Sequence, residues 1–581
     1  MAPDLHDTSD LQSAAAPDAW NRFVTAFHEH QLRPPNACVE KGADCRLAEL
    51  PDPSSGAIES HTASARQLLA DLDAVELGEA DFNTKLDADL ARLKLQAQIH
   101  RESYRFNGRT RLEQQPTAGA DIGDGLFPQF VNDPRPASER LASIMGRIEG
   151  VPDYCAKLLA RLEVPVERWV GMDREQVEGL PELFDTLIGW GREIGFHDLS
   201  RLESAVVRAK DSLKLYVSEL SELPCTTQMH LGEQDARQIV ALTGIDKSLE
   251  ALHSMATDFL SETAETIEEL RVRLTEKYAL PRQTTADELT EFLADQYRVS
   301  LPTGALEDVL DRYQLEREKI ASFIHERSLF PIPTAQDMVV LRTPGFMTPT
   351  IPAGAMMEPP MFRPGVRTSL VYLTLSEELL AEHTELSIPG MMIHEGIPGH
   401  HLQLSTAGLH PSVIRRHFSS NHHAEGWTTM LEDYMLDMGY MGELVDEARF
   451  AGKRDISRIG ARVAIDLFFM TGEKTFLEVG VPCDLSSSDP FVAAGNLLAA
   501  VTGFVPGRVA AELNWYSQER GYPLSYLTGN RMVWELKQDV KVSSGLSGLD
   551  LDRRFHALYL ESGNMPVAYL RRVFQHEGLL D

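Results

Sequence analysis

The segment IHEGIPGHHLQ contains the residue types of a metal-dependent hydrolase, but their spacing is unusual. His394 is followed at once by Glu395, as in the helical H-E-x-x-H signature in which two histidines bind zinc. The position four residues after His394 is Pro398, however, and the next histidines are His400 and His401. A shared metal therefore requires an irregular backbone between the first histidine and the following pair.

A straight helix cannot bring these histidines together. An offset of six residues puts His400 about 120° away from the face of the first histidine, at about 100° per residue. An offset of seven residues puts His401 on the same helical face as His394, but about 10.5 Å further along the helix axis. Pro398 lacks an N–H and clashes with the preceding turn, and Gly396 and Gly399 add backbone freedom. We therefore expect a kink or a looped-out segment that makes His400 the second ligand, with His401 as the alternative.

A third ligand is expected in the segment SSNHHAEGWTTMLEDYML. Glu425 follows the second histidine by some 25 residues, which is the gluzincin arrangement. Two histidines and a glutamate with an open fourth position are a known catalytic zinc set, although iron, manganese or cobalt also bind such residues. Glu432, seven residues after Glu425 on the same helical face, is expected to orient a ligand. The alternatives are a histidine-rich helix end for the first segment and a surface carboxylate for Glu432.

His422 and His423 precede this glutamate and leave three interpretations open. They are exposed loop residues, substrate contacts or competing metal ligands.

The bulk composition is that of a folded protein with a large negative charge. The chain has 581 residues, 43% of them hydrophobic and 24% charged, and its formal net charge is −32. Such a charge repels phosphate backbones and anionic membranes, so neither nucleic acid nor a membrane is an expected partner. The N-terminus lacks both the basic start and the apolar run of a signal peptide. No stretch of the sequence approaches the roughly 20 apolar residues of a membrane span. Five cysteines without CxxC pairs argue against a disulfide framework. A cytoplasmic location is predicted; the oligomeric state is left open.

Apolar periodicity predicts a mainly α protein in three parts. Residues 1–60 are expected to be a partly loose lead-in, and residues 61–330 a helical domain that forms one wall of a cleft. Residues 331–581 are predicted to be the catalytic, metal-binding domain. Its first 35 residues contain eight prolines, which exclude a long helix and favour extended chain with turns. The following RTSLVYLTL is predicted to be a strand, part of a short β-sheet beside the active-site helix, and its free edge is expected to pair with an extended peptide.

The motifs HEGIPGHHLQ and EGW, with a second glutamate seven residues after the first, resemble the domain-of-unknown-function 885 family. The segments YLTGN and FHALYLESGNMPVAYLRR are similar to the C-terminal pattern of that family. The resemblance extends from about residue 60 to the C-terminus. It implies a large multi-helix, gluzincin-like fold of the zincin metallopeptidase superfamily and zinc-dependent peptidase chemistry, with substrates that are largely unassigned in the family. We expect short peptides or small amide-containing molecules as substrates.

The resemblance also implies a mechanism. One zinc ion held by His394, by His400 or His401, and by Glu425 activates water, and Glu395 is the general base. Tyr526 and His556 are the candidates for a donor to the oxyanion, with a core position as the alternative for each. Arg367 or Arg462 is a candidate for binding a substrate carboxylate, although a structural ion pair is the more ordinary role of either.

The chain departs from the family pattern at one position that bears on the reaction. Many relatives carry a histidine after an R…D segment, whereas ARVAIDLFFM keeps Arg462 and Asp466 and has Met470 there. Two other functions therefore remain open: a metal-dependent reaction on a specialised non-peptide molecule, and a catalytically inactive binding or scaffold protein.

Overall fold

The computed structural model describes residues 18–348, 351 and 353–581 and confirms a mainly helical protein with a few short strands. The first 17 residues of the expected lead-in, with the segment assessed for a signal peptide, and Pro349 and Pro352 lie outside the described residues. All five cysteines are free. Among the described helices, none is both long and apolar enough to cross a membrane.

The helices fall into two runs, separated by the sheet and its connections. The first run consists of α1 (Asp18–Gln31), α2 (Pro35–Lys41), α3 (Ser55–Asp73), α4 (Phe82–Ser103), α5 (Ala118–Val131), α6 (Ala137–Arg161), α7 (Glu167–Glu193), α8 (Leu199–Glu222), α9 (Glu233–Leu242), α10 (Leu249–Lys277), α11 (Ala286–Gln296) and α12 (Asp308–Arg327). The second run consists of α13 (Ser387–Glu395), α14 (His400–Ala407), α15 (Val413–His417), α16 (Asn421–Asp437), α17 (Val445–Ile456), α18 (Arg458–Thr471), α19 (Pro490–Thr502), α20 (Pro506–Gln518), α21 (Ser525–Ser544), α22 (Gly548–Glu561) and α23 (Val567–His576).

The described residues also contain five short strands. β1 (Arg105–Phe106) and β2 (Arg109–Thr110) form a hairpin, whereas β3 (Gln336–Arg342), β4 (Gly354–Met357) and β5 (Arg367–Leu373) form a sheet in the order β3-β5-β4. β5 pairs in parallel with β3 and antiparallel with β4. The predicted strand is therefore present, but it lies in the middle of the sheet. The expectation that its free edge pairs with a peptide is wrong, because β3 pairs with one edge along the whole strand and β4 pairs with the other edge from Leu370 to Leu373.

The sheet lies directly beside the segment that carries the histidines. Ser369 of β5 shares a hydrogen bond of 2.7 Å with His401, and a Cβ on Gly396 would lie 3.4 Å from Met338 of β3. The proline-rich segment contains no helix in its described part, because proline removes the backbone donors that a helix needs. The sheet thus forms a floor under α13 and α14.

The described part of the lead-in packs on the main core. Trp20, Phe23 and Phe27 of α1 are buried in a cluster that also contains Val371 of β5 and residues of α13 to α16. This cluster joins residues from both sides of position 330. The division into three parts stays a prediction.

Two facing glycines let α16 and α21 approach each other closely. A Cβ on Gly426 would lie 2.4 Å from the carbonyl carbon of Gly529, and a Cβ on Gly529 would lie 2.0 Å from the carbonyl oxygen of His422. Because these neighbours are backbone atoms, they cannot move aside as a flexible side chain can. The glycine of the EGW motif therefore fixes the separation between the helix of Glu425 and the helix of Tyr526.

We predict that Gly426→Ala destabilises the protein by about 1–3 kcal/mol, because overpacking against backbone forces the two helices apart. Urea unfolding measures the effect. Gly171→Ala is the matched control: it lies inside α7 with no atom within 4 Å of the added Cβ. There, alanine is expected to stabilise by about 0.4–1 kcal/mol through reduced chain entropy. Equal midpoints for the two variants would contradict this account of α16 and α21.

Candidate metal centre

The helix that begins at Ser387 breaks where Pro398 and its neighbouring glycines predict a kink. α13 ends at Glu395, α14 begins at His400, and the cis peptide bond Ile397–Pro398 lies between them. Gly399 approaches the end of α13 so closely that an added Cβ would lie 1.9 Å from the carbonyl oxygen of His394. Only glycine fits this approach, which returns the chain to α13 and places His400 beside His394.

Three side chains converge across this break. Nε2 of His394 lies 3.4 Å, and Nε2 of His400 lies 3.2 Å, from Oε2 of Glu425. The ligand atoms of all three residues lie within 4.8 Å of one another, and the two imidazole planes are 81° apart. Each residue is at most 8% exposed. The structure thus brings together the three residues that the spacing selected, with His400 as the second histidine.

The geometry of this cluster fits a divalent metal ion. Tetrahedral zinc, with bonds of about 2.0–2.2 Å, holds its ligand atoms about 3.4 Å apart, close to the two separations observed. Oε2 of Glu425 is buried and makes no hydrogen bond, although both imidazoles are near. A buried carboxylate oxygen with an unused lone pair, aimed at two imidazole nitrogens, has the donor chemistry of a zinc ligand set.

The electrostatics of the three residues also favour a cation. Burial disfavours a charged imidazole, but the carboxylates of Glu425 and Glu432 outweigh it and raise the pKa of His394 to about 10. Burial favours a protonated Glu425, yet His400 and His394 hold the pKa of its carboxyl well below the usual range. The carboxylates therefore stabilise positive charge at this point, which a metal ion supplies in place of the imidazole proton.

Two further residues hold the ligands in position. Glu432 accepts a hydrogen bond of 2.8 Å from Nδ1 of His394, which turns Nε2 toward the cluster. Tyr522 donates a hydrogen bond of 2.9 Å to Oε1 of Glu425, which leaves Oε2 free. A partner of this kind fixes the orientation and basicity of a metal ligand. The Glu432 contact was expected from its position on α16, whereas the Tyr522 contact was not.

The EGW motif joins the third ligand to the helix break. Trp427, two residues after Glu425 on α16, donates its indole N–H to the carbonyl oxygen of Pro398 at 2.9 Å. The hydroxyl oxygen of Thr428 lies 3.3 Å from Nε2 of His394. The same hydroxyl donates a hydrogen bond to the backbone carbonyl of Glu425. One helix therefore supplies a ligand and anchors the loop that positions the other two.

Glu395 has the surroundings expected of a catalytic base. It directly follows His394, is 7% exposed, and its Oε2 is buried without a hydrogen-bond partner. Most buried carboxylates are paired, so an unpaired one beside a ligand cluster is a candidate for proton transfer.

Tyr526 lies near the cluster with its ring nearly parallel to that of His394, at a centroid distance of 6.5 Å. Burial, followed by the charge of Glu425, raises the pKa of Tyr526 well above its usual range, so its hydroxyl stays protonated and can donate. Arg462 lies 4.4 Å from the centroid of the same ring and is bonded to Glu512 at 2.8 Å. Arg462 thus forms a structural ion pair, which was the more ordinary alternative to binding a substrate carboxylate.

The structure does not bring His401 or His556 to the cluster. His401 is fully buried on the sheet side, bonded to Ser369 and Gln336. His556 is also fully buried, stacks on Phe330 at 4.5 Å, and bonds the carbonyl of Leu329. These contacts place His556 in the core, the alternative stated above, although only Nδ1 is hydrogen-bonded and the buried Nε2 has no partner. They give no support to a role at the oxyanion.

His422 and His423 are not exposed loop residues, because both lie in the buried first turn of α16. His422 accepts from the backbone N–H of Val567 at 3.1 Å, and Nδ1 of His423 bonds the carbonyl of Met565 at 2.8 Å. Their ring nitrogens hold the chain before α23, and neither residue belongs to the ligand group.

Met470 and Tyr522 show two limits of the sequence reasoning. Met470, at the position where the family resemblance led us to expect a histidine, is fully buried in the hydrophobic core with Phe468 and Phe469. Tyr522 precedes Tyr526 by four residues, a spacing that was the available signal for its position. Asp466 holds that turn by accepting the backbone N–H groups of Gly521 and Leu524.

Fold and site together define a mainly helical protein with a buried His–His–Glu cluster on a broken helix. The family described as "Bacterial protein of unknown function (DUF885)" matches residues 35–574, and the chain belongs to this family. None of the curated proteins matches it.

Two solved structures share the fold. One, from Shewanella oneidensis, is titled "a putative lipoprotein of unknown function"; it has a TM-score of 0.73 and 19% identity, with 97% of this chain and 100% of that chain covered. The other, "the putative lipoprotein from Colwellia psychrerythraea", has a TM-score of 0.74 and 14% identity. The match covers 96% of this chain and 99% of that chain. At these identities the likeness shows the fold alone.

We predict that Tyr522→Phe lowers zinc affinity about 10- to 100-fold while leaving the fold intact, because Glu425 loses the hydrogen bond that orients it. Competition with a chelator of known affinity measures the change. Tyr434→Phe is the control, since it removes a hydroxyl of α16 that contacts Asp552 instead. Affinities that are the same in both variants would show that Tyr522 does not position the ligand.

Proposed function

We propose that the protein is a zinc-dependent hydrolase that cleaves amide bonds, with short peptides as the expected substrates. The observation that carries the proposal is the buried Oε2 of Glu395, which has no hydrogen-bond partner and belongs to the residue next to the ligand His394. A ligand set alone fits a structural metal, but a structural metal needs no free base next to it. The proposed relation to gluzincins rests on this arrangement and on the order of the three ligands along the chain.

The chemistry follows from the positions of four groups. When bound, zinc supplies a Lewis acid that makes water more acidic and polarises a carbonyl oxygen. Glu395 takes a proton from the attacking water and passes it to the leaving nitrogen. Tyr526, protonated and beside the cluster, donates a hydrogen bond to the developing oxyanion. Glu432 and Tyr522 keep the imidazole and the carboxylate fixed, so that little reorganisation is needed during the reaction.

The surroundings of the cluster favour a small or extended substrate. The three ligand residues and Glu395 are each at most 8% exposed, so a folded protein surface cannot reach them. In the described part of the chain β4 has a single strand neighbour, and Gly354 at its start lies near Met391 of α13. An extended peptide that adds to the outer edge of β4 gains backbone hydrogen bonds beside α13.

The two other candidate functions make different demands on the site. A non-peptide amide would use the same residues, and the argument for it from Met470 weakens because that side chain is buried in the core. An inactive scaffold protein has no need of an unpaired buried carboxylate at position 395. A panel of short peptides with free or blocked ends, together with small aromatic amides, distinguishes the first two functions.

Location is a separate proposal. The sequence favours the cytoplasm, whereas the two solved neighbours carry the word lipoprotein in their titles, which suits a membrane-attached protein. Fractionation of cells that express the full chain tests the cytoplasmic proposal.

We predict near-stoichiometric zinc in the purified protein and its loss in His394→Ala, His400→Ala and Glu425→Ala. Elemental analysis measures it. His401→Ala is the matched control: it removes a neighbouring buried imidazole that faces Ser369 and is expected to keep its zinc. Loss of zinc in His401→Ala but not in His400→Ala would reverse the assignment, and no tight binding of any divalent metal would overturn the proposed function.

We predict that Glu395→Gln lowers kcat about 10²- to 10⁴-fold with zinc content unchanged, because the amide keeps the shape and removes the base. Steady-state hydrolysis of the best peptide of the panel measures it. Glu432→Gln is the comparison, since it is expected to lower zinc affinity first. Full activity in zinc-loaded Glu395→Gln would remove this residue from the mechanism.

A further inference from the structure

A second group of unpaired polar atoms lies at the other end of α14, among residues that the proposed reaction does not use. A Cβ on Gly408, directly after α14, would lie 3.1 Å from Nη1 of Arg367. His400 is the first residue of that helix, so its length of about 12 Å separates Arg367 from the metal centre. Arg416 of α15 lies near enough to Arg367 for that charge, after burial, to lower the pKa of Arg416. Lys94 of α4 and Arg416 both lie near His417, whose pKa burial and the surrounding cations lower. We call Lys94, Arg367 and Arg416 the cationic pocket.

The two arginines of the cationic pocket lack acidic partners. Nε of Arg367 donates to the carbonyl of Arg363, but its Nη1 is buried without an acceptor, and so is Nε of Arg416. No carboxylate of the described residues lies within 4.0 Å of Arg367, Arg416 or Lys94. In a chain with 87 acidic and 55 basic side chains, half-buried cations without a carboxylate are unexpected.

Aromatic rings fix the geometry of this group. The guanidinium carbon of Arg416 lies 4.4 Å from the centroid of Phe362, and Phe362 packs on His417 at 4.4 Å. His417 in turn shares a hydrogen bond of 2.7 Å with His28 of α1. Stacking on Phe362 holds the guanidinium plane without using its N–H groups, which stay free for a ligand.

The local charge is positive even with the nearest acids included. Glu40 and Glu358 both pair with Lys41, which leaves this trio with one net negative charge against the three cations of the cationic pocket. Burial and the charge of Arg367 lower the pKa of Arg416 to about 10, and burial followed by Lys41 lowers the pKa of Lys94 to about 8. Arg367 and Arg416 therefore repel each other in the free protein, Lys94 is repelled by Lys41, and an anion would relieve that repulsion.

We propose that Lys94, Arg367 and Arg416 form a binding site for the oxyanion group of a small molecule, a carboxylate or a phosphate. Both groups present two or more oxygens that match the planar N–H fork of an arginine, and charge-assisted bonds of this kind are among the stronger hydrogen bonds in proteins. Because the site lies one helix length from the metal centre and uses none of its residues, it does not depend on the proposed hydrolase activity.

Isothermal titration of the full chain with inorganic phosphate and, separately, with succinate tests the site at constant ionic strength set with chloride. Glu425→Ala is the background, so that phosphate cannot bind through zinc. We expect one saturable event with at least one anion, weakened at least 10-fold by Arg367→Gln/Arg416→Gln. Binding of phosphate alone identifies a phosphate ligand, and binding of succinate alone identifies a carboxylate ligand.

A thermal melt distinguishes this role from a structural one. Without anion, the double glutamine variant is expected to melt at the same or a higher temperature, because it removes repelling charges that have no partner. Arg237→Gln is the matched control, since it removes an exposed arginine that is paired with Glu233 and Glu250, and it should keep the anion response. Absence of binding in the wild-type pocket, or equal binding in the double variant, would overturn the proposal.

Discussion

The centre of this protein depends on one buried carboxylate, that of Glu425. A buried charge is costly unless it is paired, and here the partners are two imidazoles rather than a permanent cation. Imidazole can meet that need in two ways, by carrying a proton or by sharing a metal ion. The raised pKa of His394 shows how strongly the carboxylates favour positive charge at this position. The site is thus built around a place for a cation before any substrate is considered.

The arrangement of the surrounding helices serves to hold the Glu425 carboxylate between the two histidines. His394 and His400 belong to different helices, so the break between α13 and α14 must itself be held in place, and Trp427 does this from the same helix as Glu425. The close contact of α16 with α21 brings Tyr522 to the far oxygen of the carboxylate. Because α16 takes part in every one of these contacts, a small displacement of this helix would disturb ligands, loop and tyrosine together.

Much of this arrangement is local in sequence, and that part could be predicted. The proline and glycines between the histidines define the break, and the seven-residue spacing of Glu425 and Glu432 places both on one helical face. The choice between His400 and His401 could not be made from the spacing, because it depends on how the chain returns after Gly399 and on Ser369 of a strand far away in the sequence. The position of β5 within the sheet likewise depends on pairing with β3 and β4, which strand propensity does not encode.

Residues far apart in sequence were the hardest to place. Tyr522 reaches Glu425 from 97 residues away, and no motif joins them. His556 belongs to a segment that resembles the family pattern, yet it packs against Phe330 and bonds Leu329. A motif that is shared within a family can preserve packing as well as chemistry, and for His556 the packing contacts and the position outside the ligand group favour packing.

Unpaired buried polar atoms are a feature that the metal centre and the cationic pocket share. Folded proteins pair nearly all of their buried polar atoms, so a group of unpaired atoms of one charge is a candidate binding position. At the metal centre the unpaired atoms include Oε2 of Glu395 and Oε2 of Glu425, for which the missing partner is a cation or a proton, and Nδ1 of His400. In the cationic pocket the unpaired atoms are the guanidinium nitrogens of Arg367 and Arg416, and the missing partner is an anion. Because the chain carries a large excess of acidic residues, carboxylate partners for these arginines are plentiful. Unpaired arginines in the cationic pocket are therefore less expected than unpaired carboxylates at the metal centre.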